Sequence, residues 1–250
     1  MKECTHFDFE TVLDRHDHDS IAVDGLGLKG VPTPPKSGFS TIPMWIADMN
    51  IPCYPGIQEA LRERLSHPNF GYFRPSEAYF QTIHDWHQRV KKGPEFSSEM
   101  IGFHNGVLGA LATAIRCFTS PGDAVLVHSP CYGGFIKTLT GLGRRIVYSP
   151  LCADSTGILR MDYGDMEKKI RENQIHFAIF CSPHNPSGRA FDRDEIALAL
   201  DLFKRNDCLV VSDEIWSDLY LGGRQHICTQ SIGDWAKDQV IAIYAPSKTF

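Results

Sequence analysis

From residue 101 onward the chain alternates between short apolar runs and amphipathic stretches. Apolar residues at Leu108, Leu111, Ala112 and Ile115 recur at i, i+3, i+4 and i+7 after Gly106, the spacing of one helix face. "PGDAVLVHSP" (121–130) then reads as a turn and a buried strand. A helical stretch over about 132–142 leads to the strand "RRIVYSP", and a helix over about 162–172 leads to "HFAIFCSP" (176–183). Asp192 and Glu195 form a D-x-x-E capping box for a helix with Ile196, Ala199, Leu200 and Phe203 inward. "CLVVSDEI" (208–215) and "VIAIYAPS" complete the pattern. Apolar strands separated by amphipathic helices predict an α/β fold, a mostly parallel sheet covered by helices on both faces.

The first hundred residues read differently. Residues 1–50 are irregular, and "GVPTPPKSG" (Gly30–Gly38) carries three prolines that exclude helix or central strand. "IPMWIADM" (Ile42–Met49) reads as apolar and extended. Helices are expected over about 54–66, with Ile57, Leu61 and Leu65 in register, and over 76–92, with Tyr79, Ile83, Trp86 and Val90 on one face. The expected division is an N-terminal arm, residues 1–50, and a larger domain, residues 51–250.

Composition excludes several classes. A formal net charge of −5 gives no basic footprint for nucleic acid or anionic membranes. No apolar run is long enough to span a bilayer, and the first ten residues do not read as a signal peptide, so a cytoplasmic location is expected. The eight cysteines include no C-x-x-C. Cys117, Cys131, Cys181 and Cys208 lie among apolar or strand-like neighbours and are expected to be buried free thiols. "GLGLKG" (Gly25–Gly30) fits G-x-G-x-x-G, but "VPTPP" follows where a dinucleotide site needs a helix, so a turn is expected. "RHDHDS" (Arg15–Ser20) is expected to be a solvated polar stretch, and no metal site is assigned.

A parallel sheet places its ligand at the carboxyl ends of its strands. There the chain offers "HSPCY", "CSPHNPSG", "SDEIW" and "YAPSK". Asp213, carried to the sheet edge by "LVV", needs a cation or a protonated nitrogen as partner. Lys248 leaves a neighbouring strand, and lysine forms Schiff bases with carbonyl compounds. This pair suits pyridoxal 5'-phosphate: the lysine holds the aldehyde and the aspartate keeps the pyridine nitrogen protonated. The helix opened by Gly106, Val107 and Leu108 offers backbone N–H groups to a phosphate. Tyr132 can stack on a ring, and Asn185 can donate to the ring hydroxyl oxygen.

These residues stand within longer matching stretches: "PMWIADMN", "FGYF", "GVLGAL", "FTSPGDAVLVHSPCYGGF", "CSPHNPSGR", "VVSDEIWSDL" and "APSKTF". From about residue 42 to 250 the chain resembles fold-type I pyridoxal-phosphate enzymes of the aminotransferase class I/II superfamily. Within it the chain is similar to the MalY/PatB group of cystathionine β-lyases, the cysteine-S-conjugate β-lyases. The resemblance implies Lys248 as Schiff-base lysine and Cα base, Asp213 on the pyridine nitrogen, and Asn185 on the ring hydroxyl. It implies Tyr132 on the ring face and the Val107 and Leu108 amides on the phosphate. Tyr72 would reach the phosphate of the neighbouring subunit in a homodimer with shared sites, and Ala47 and Asp48 would lie near an amino-acid substrate, as would Asn185.

The sequence departs from that pattern in places. Trp216 stands beside the cofactor position where many relatives carry Tyr or His, Ala245 stands where aminotransferases often have Ser, and residues 15–30 differ. Family members also continue well past the lysine, so the expectation is a large domain lacking its C-terminal small domain and one sheet strand. The implied activity is cleavage of cystathionine or cysteine conjugates to thiol, pyruvate and ammonia. An aminotransferase, or a truncated non-catalytic or regulatory member, are the alternatives.

Overall fold

A run of consecutive apolar residues can be buried on both faces only inside a sheet that is itself covered on both sides. Such runs form the centre of a five-stranded sheet in the computed structural model, which describes residues 7–250. The chain divides into two compact units, residues 1–73 with Phe250, and residues 74–249.

Among its described residues the first unit contains two helices, α1 (Ile21–Asp24) and α2 (Pro55–Ser66). Pro55 opens α2, where its missing N–H costs nothing. The expected apolar face is present but uncovered, with Leu61 and Leu65 both exposed. The stretch 42–49 forms no strand, and "GLGLKG" is a turn in which the Gly27 N–H donates to the Pro32 carbonyl at 2.8 Å. Arg15 is paired with Asp48, and the His16 ring lies 2.7 Å from Asp14, ordinary surface contacts within this unit.

The second unit begins with α3 (Glu77–Arg89), capped by Ser76 Oγ accepting from the Tyr79 N–H at 3.2 Å. Then follow α4 (Gly106–Phe118), β1 (Ala124–Ser129), α5 (Gly133–Gly141) and β2 (Arg145–Pro150). A small hairpin, β3 (Cys152–Ala153) with β4 (Leu159–Arg160), precedes α6 (Tyr163–Glu172). The remainder is β5 (Phe177–Cys181), α7 (Arg193–Arg205), β6 (Leu209–Asp213), α8 (Asp234–Gln239) and β7 (Val240–Ile243). The capping box of α7 forms, the Asp192 N–H donating to Glu195 Oε2 at 2.8 Å.

The main sheet runs β2-β1-β5-β6-β7, all parallel. Alternate strand residues feed two cores. Leu126, Ala178, Phe180 and Val210 face α6, α7 and α8 with Met166, Ile170, Ile196, Leu200 and Phe203. Val125, Val127, Phe177, Ile179, Val211 and Ile243 face α4 and α5 with Leu111, Ile115, Phe135 and Leu139. Phe203 is fully buried. Its replacement by alanine is expected to cost about 3–5 kcal/mol by denaturant titration, because transfer and cavity costs add at a site that cannot collapse.

The chain passes from β1 to β2 on one side and then returns to β5 on the other side of β1. This reversal opens a crevice at the carboxyl ends of β1 and β5, the usual ligand position of such sheets. Cys181 and Cys208 are buried and Cys131 is half-buried, whereas Cys117 is exposed. The expectation for Cys117 is thus corrected: it lies on the outward face of α4, away from Leu111, Ala114 and Ile115. All cysteines among the described residues are free thiols.

Candidate active site

The register of the sheet brings Cys181, Asp213 and Ile243 level with one another at the strand ends. Asp213 is 5% exposed. Its Oδ1 accepts the Ile215 N–H at 3.1 Å, and among the described residues no cation lies within ion-pair distance. Burial pushes its carboxyl up to about 6, with the Glu214 charge adding to the effect and the Ile215 N–H opposing it. A carboxylate so placed is a strong site for a protonated nitrogen, which would restore what desolvation removes.

Lys248 closes a short turn, Pro246–Lys248, beyond β7. It is half-buried, and its Nζ lies 5.6 Å from the centroid of the Trp216 ring, a cation–π contact. Trp216 follows β6 by three residues. The indole that replaces the usual Tyr or His therefore offers its face to the lysine.

The other predicted residues occupy neighbouring exits. Tyr132 is the N-cap of α5, just after β1. Its ring meets Phe135 edge-on with centroids 5.5 Å apart and is partly open to solvent. A Cβ on Gly134 would lie 2.3 Å from Tyr132 Cε1, so only glycine lets the ring keep this place. Asn185 is half-buried in the loop after β5, which is closed by the Gly188 N–H to the His184 carbonyl at 2.8 Å and the His184 N–H to the Arg189 carbonyl at 2.6 Å. Arg189 is in turn paired with Glu195 and lies over the Phe191 ring at 5.1 Å. The Ser182 hydroxyl and His128 Nε2, at the same two exits, are buried with no partner among the described residues.

Helix α4 packs against β6 and β7 and runs toward the start of β1, so its N-terminus lies at the carboxyl edge of the sheet. Asn105 provides no side-chain cap, leaving the first-turn amides, Val107 and Leu108 among them, without an intrahelical acceptor. Gly106 has φ +76°, and no atom lies within 4 Å of where a Cβ would stand. Alanine at 106 is expected to be disfavoured by about 1 kcal/mol of backbone strain. It would also crowd the approach to the amides, and the check is phosphate-competed binding of pyridoxal phosphate to the variant.

Seven predicted residues thus share one edge of the second unit: Val107, Leu108, Tyr132, Asn185, Asp213, Trp216 and Lys248. Tyr72, Ala47 and Asp48 belong to the first unit. There Tyr72 is fully exposed, Ala47 is exposed, and Asp48 accepts from Arg15 Nη1 at 2.7 Å.

Sequence reasoning missed a buried polar network behind this edge. Glu214 is fully buried and accepts from His226 Nε2, from Tyr244 Oη at 2.8 Å, from the Thr229 N–H at 3.0 Å and from Ser212 Oγ at 3.0 Å. Burial raises its pKa, but the His226 and Tyr244 contacts and the Thr229 amide outweigh it and hold the carboxyl below the usual range. Cys228 Sγ joins Glu214 and His226 in the one cluster of metal-ligand type among the described residues. A second group joins Lys91, Ser217 and Asp218. Only the position of Glu214 directly after Asp213 could have pointed to it; His226 and Lys91 carry no local signal.

The donor set fits pyridoxal phosphate. A buried carboxylate without a cation, a lysine at the adjacent exit, uncapped helix amides and an aromatic face each match a different part of that molecule.

The comparisons with known proteins agree with the geometry. The cystathionine β-lyase PatB of Bacillus subtilis (strain 168) is 39% identical over 209 residues, 84% of this chain and 54% of PatB. Protein MalY of Escherichia coli (strain K12) is 30% identical over 238 residues, 92% of this chain and 58% of MalY. The crystal structure of cystalysin from Treponema denticola, which contains pyridoxal 5'-phosphate, superposes with a TM-score of 0.90 at 31% identity, covering 98% of this chain and 61% of that one. The chain therefore spans a little more than half the length of the relatives it matches. Its α/β architecture is that of the fold-type I pyridoxal-phosphate enzymes. A family model matches residues 48–250, and with the strand-exit cluster inside that range, the chain belongs to the aminotransferase class I and II family.

Proposed function

We propose that the protein carrying these residues is a pyridoxal-phosphate-dependent C–S β-lyase that cleaves cystathionine or cysteine S-conjugates to thiol, pyruvate and ammonia. The observation that carries this reading is the placement of Asp213 at the end of β6 and of Lys248 just beyond the adjacent strand β7, in a chain 39% identical to a cystathionine β-lyase. The proposal includes a homodimer with shared sites and a cytoplasmic location. It also includes the division into an arm, residues 1–50, and a cofactor-binding domain, residues 51–250.

When bound, pyridoxal phosphate supplies an electron sink conjugated to the substrate Cα. Lys248 Nζ would hold the aldehyde of the cofactor and would serve as the base for the substrate Cα proton. Asp213 would keep a proton on the pyridine nitrogen, a cation that would relieve the burial of its carboxylate. Tyr132 would cover a ring face, Asn185 would donate to the ring hydroxyl oxygen, and the Val107 and Leu108 amides would hold the phosphate. Trp216 holds the lysine ammonium against its ring face. Tyr72 reaches the phosphate in the partner subunit's site, and Ala47 and Asp48 border the substrate.

The test uses the full-length protein with cystathionine and no keto acid. Pyruvate release at a steady rate is expected. A rate that depends on added 2-oxoglutarate would instead identify an aminotransferase.

A further inference from the structure

Three cross-ties fasten the lysine segment to the turn after β6. Tyr244 Oη donates to Glu214 at 2.8 Å, the Lys248 ammonium rests over the Trp216 ring, and Thr249 Oγ1 donates to Asp218 Oδ2 at 3.3 Å. The partner turn is rigid in its own right. The Ser217 N–H donates to the Glu214 carbonyl at 2.9 Å and the Leu219 N–H to the Trp216 carbonyl at 3.0 Å.

Asp218 is the anchor that reaches toward α3. Its Oδ1 accepts from Lys91 Nζ at 2.6 Å and from Trp86 Nε1 at 3.0 Å, both from the C-terminal end of α3 and the residues after it. The Lys91 and Asp218 side chains are 5% and 8% exposed. Lys91 also donates to Ser217 Oγ, and its Nζ lies 5.0 Å from the centroid of the Tyr244 ring. Removing two charges from water is expensive, and an apolar pair of similar volume would stabilise the fold at least as well. A buried ion pair instead fixes direction: each partner must keep its donors and acceptors satisfied.

We propose that Asp218, charge-compensated by Lys91, is a positioning residue that fixes the Lys248 segment through the Thr249 hydroxyl. The proposal rests on the reading of Lys248 as the cofactor-bearing lysine. Asp218 touches neither cofactor nor substrate in this account. It sets the backbone next to Lys248, and so the direction from which Nζ approaches. A displacement of about 1 Å at a reacting atom can cost on the order of 10²-fold in rate, so a tie one residue away is enough to matter.

The test compares Thr249→Val and Thr249→Ser in the full-length protein. Valine keeps the shape and removes the donor; serine keeps the donor. Two readouts are taken: amide hydrogen exchange of residues 245–249 without cofactor, and kcat and KM with cystathionine. In Thr249→Val, exchange is expected to rise about threefold to tenfold, the loss of roughly one ordinary hydrogen bond. The same variant is expected to lose about tenfold in kcat with little change in KM. Thr249→Ser is expected to match the wild type in both. Asp218→Asn is expected to raise exchange in the same segment, with an added loss of stability because Lys91 is left buried without its counter-charge.

Wild-type exchange in Thr249→Val would overturn the proposal, and so would a serine variant that behaves like the valine one. A wild type that forms no pyruvate contradicts the lyase reading alone, since the exchange comparison decides the positioning role without cofactor.

Discussion

Lys248→Ala is expected to abolish turnover of cystathionine while leaving the fold intact. The alanine variant loses the amine that holds the cofactor and the base that moves the Cα proton, so the rate should fall by at least about 10⁴-fold. The cost to the fold is small by comparison. The lysine is half-buried in a short turn, and its cation–π contact with Trp216 contributes about 0.5–1 kcal/mol at such a site. Thermal unfolding of the cofactor-free variant should therefore stay close to that of the wild type. The visible absorption of the cofactor held on a lysine should disappear. A variant that keeps a tenth of wild-type activity would remove Lys248 from the mechanism.

Asp213→Asn is expected to have opposite effects on the fold and on the chemistry. In the cofactor-free protein, burial takes the Asp213 carboxyl from 3.8 in the unfolded chain to about 6. The unfolded chain then gives up its proton first as pH rises. Stability from this group is full below about 4, falls as pH rises through about 6, and stays low above that. The charged side chain therefore costs the cofactor-free fold up to roughly 3 kcal/mol at pH 7–8. Asparagine removes the charge and keeps an acceptor for the Ile215 N–H, so the variant should be the more stable one above pH 6 and gain nothing below 4. Its amide cannot hold a proton on the pyridine nitrogen, so cofactor affinity and kcat should both fall, kcat by about 10²-fold or more. Denaturant titrations at pH 4 and pH 8, with and without pyridoxal phosphate, separate the two effects. A variant less stable than wild type at pH 8 without cofactor would contradict the burial argument.

The sheet was legible because its three central strands are buried on both faces. "AVLV", "FAIFC" and "LVV" are continuous apolar runs, and the helices between them carry clear 3.6-residue spacing. The β3–β4 hairpin escaped because its two strands are only two residues each and one of them is exposed. Its signal was the turn "DSTG", where Asp154 Oδ1 accepts the Thr156 N–H at 2.8 Å and the Ile158 N–H at 3.0 Å. The expectation of burial failed for Cys117. Apolar neighbours in sequence mark a face, but they do not show that another element covers it.

The candidate site was legible where chemistry and topology coincide, since polar residues at parallel strand exits are dictated by the strand order. The supporting network was not. Lys91 meets Asp218 across 127 residues, and Glu214 meets His226 through a loop with no periodicity. Contacts of that kind depend on tertiary packing, and residue type alone does not announce them.

The central claim is that Lys248 is the amine that holds pyridoxal phosphate opposite Asp213. The most direct measurement is to load the full-length protein with the cofactor, reduce it with borohydride and map the modified peptide by mass spectrometry. One pyridoxyl group on Lys248, and none in Lys248→Ala, is the predicted result. Modification of another lysine with Lys248 untouched, or no modified peptide at all, would contradict it.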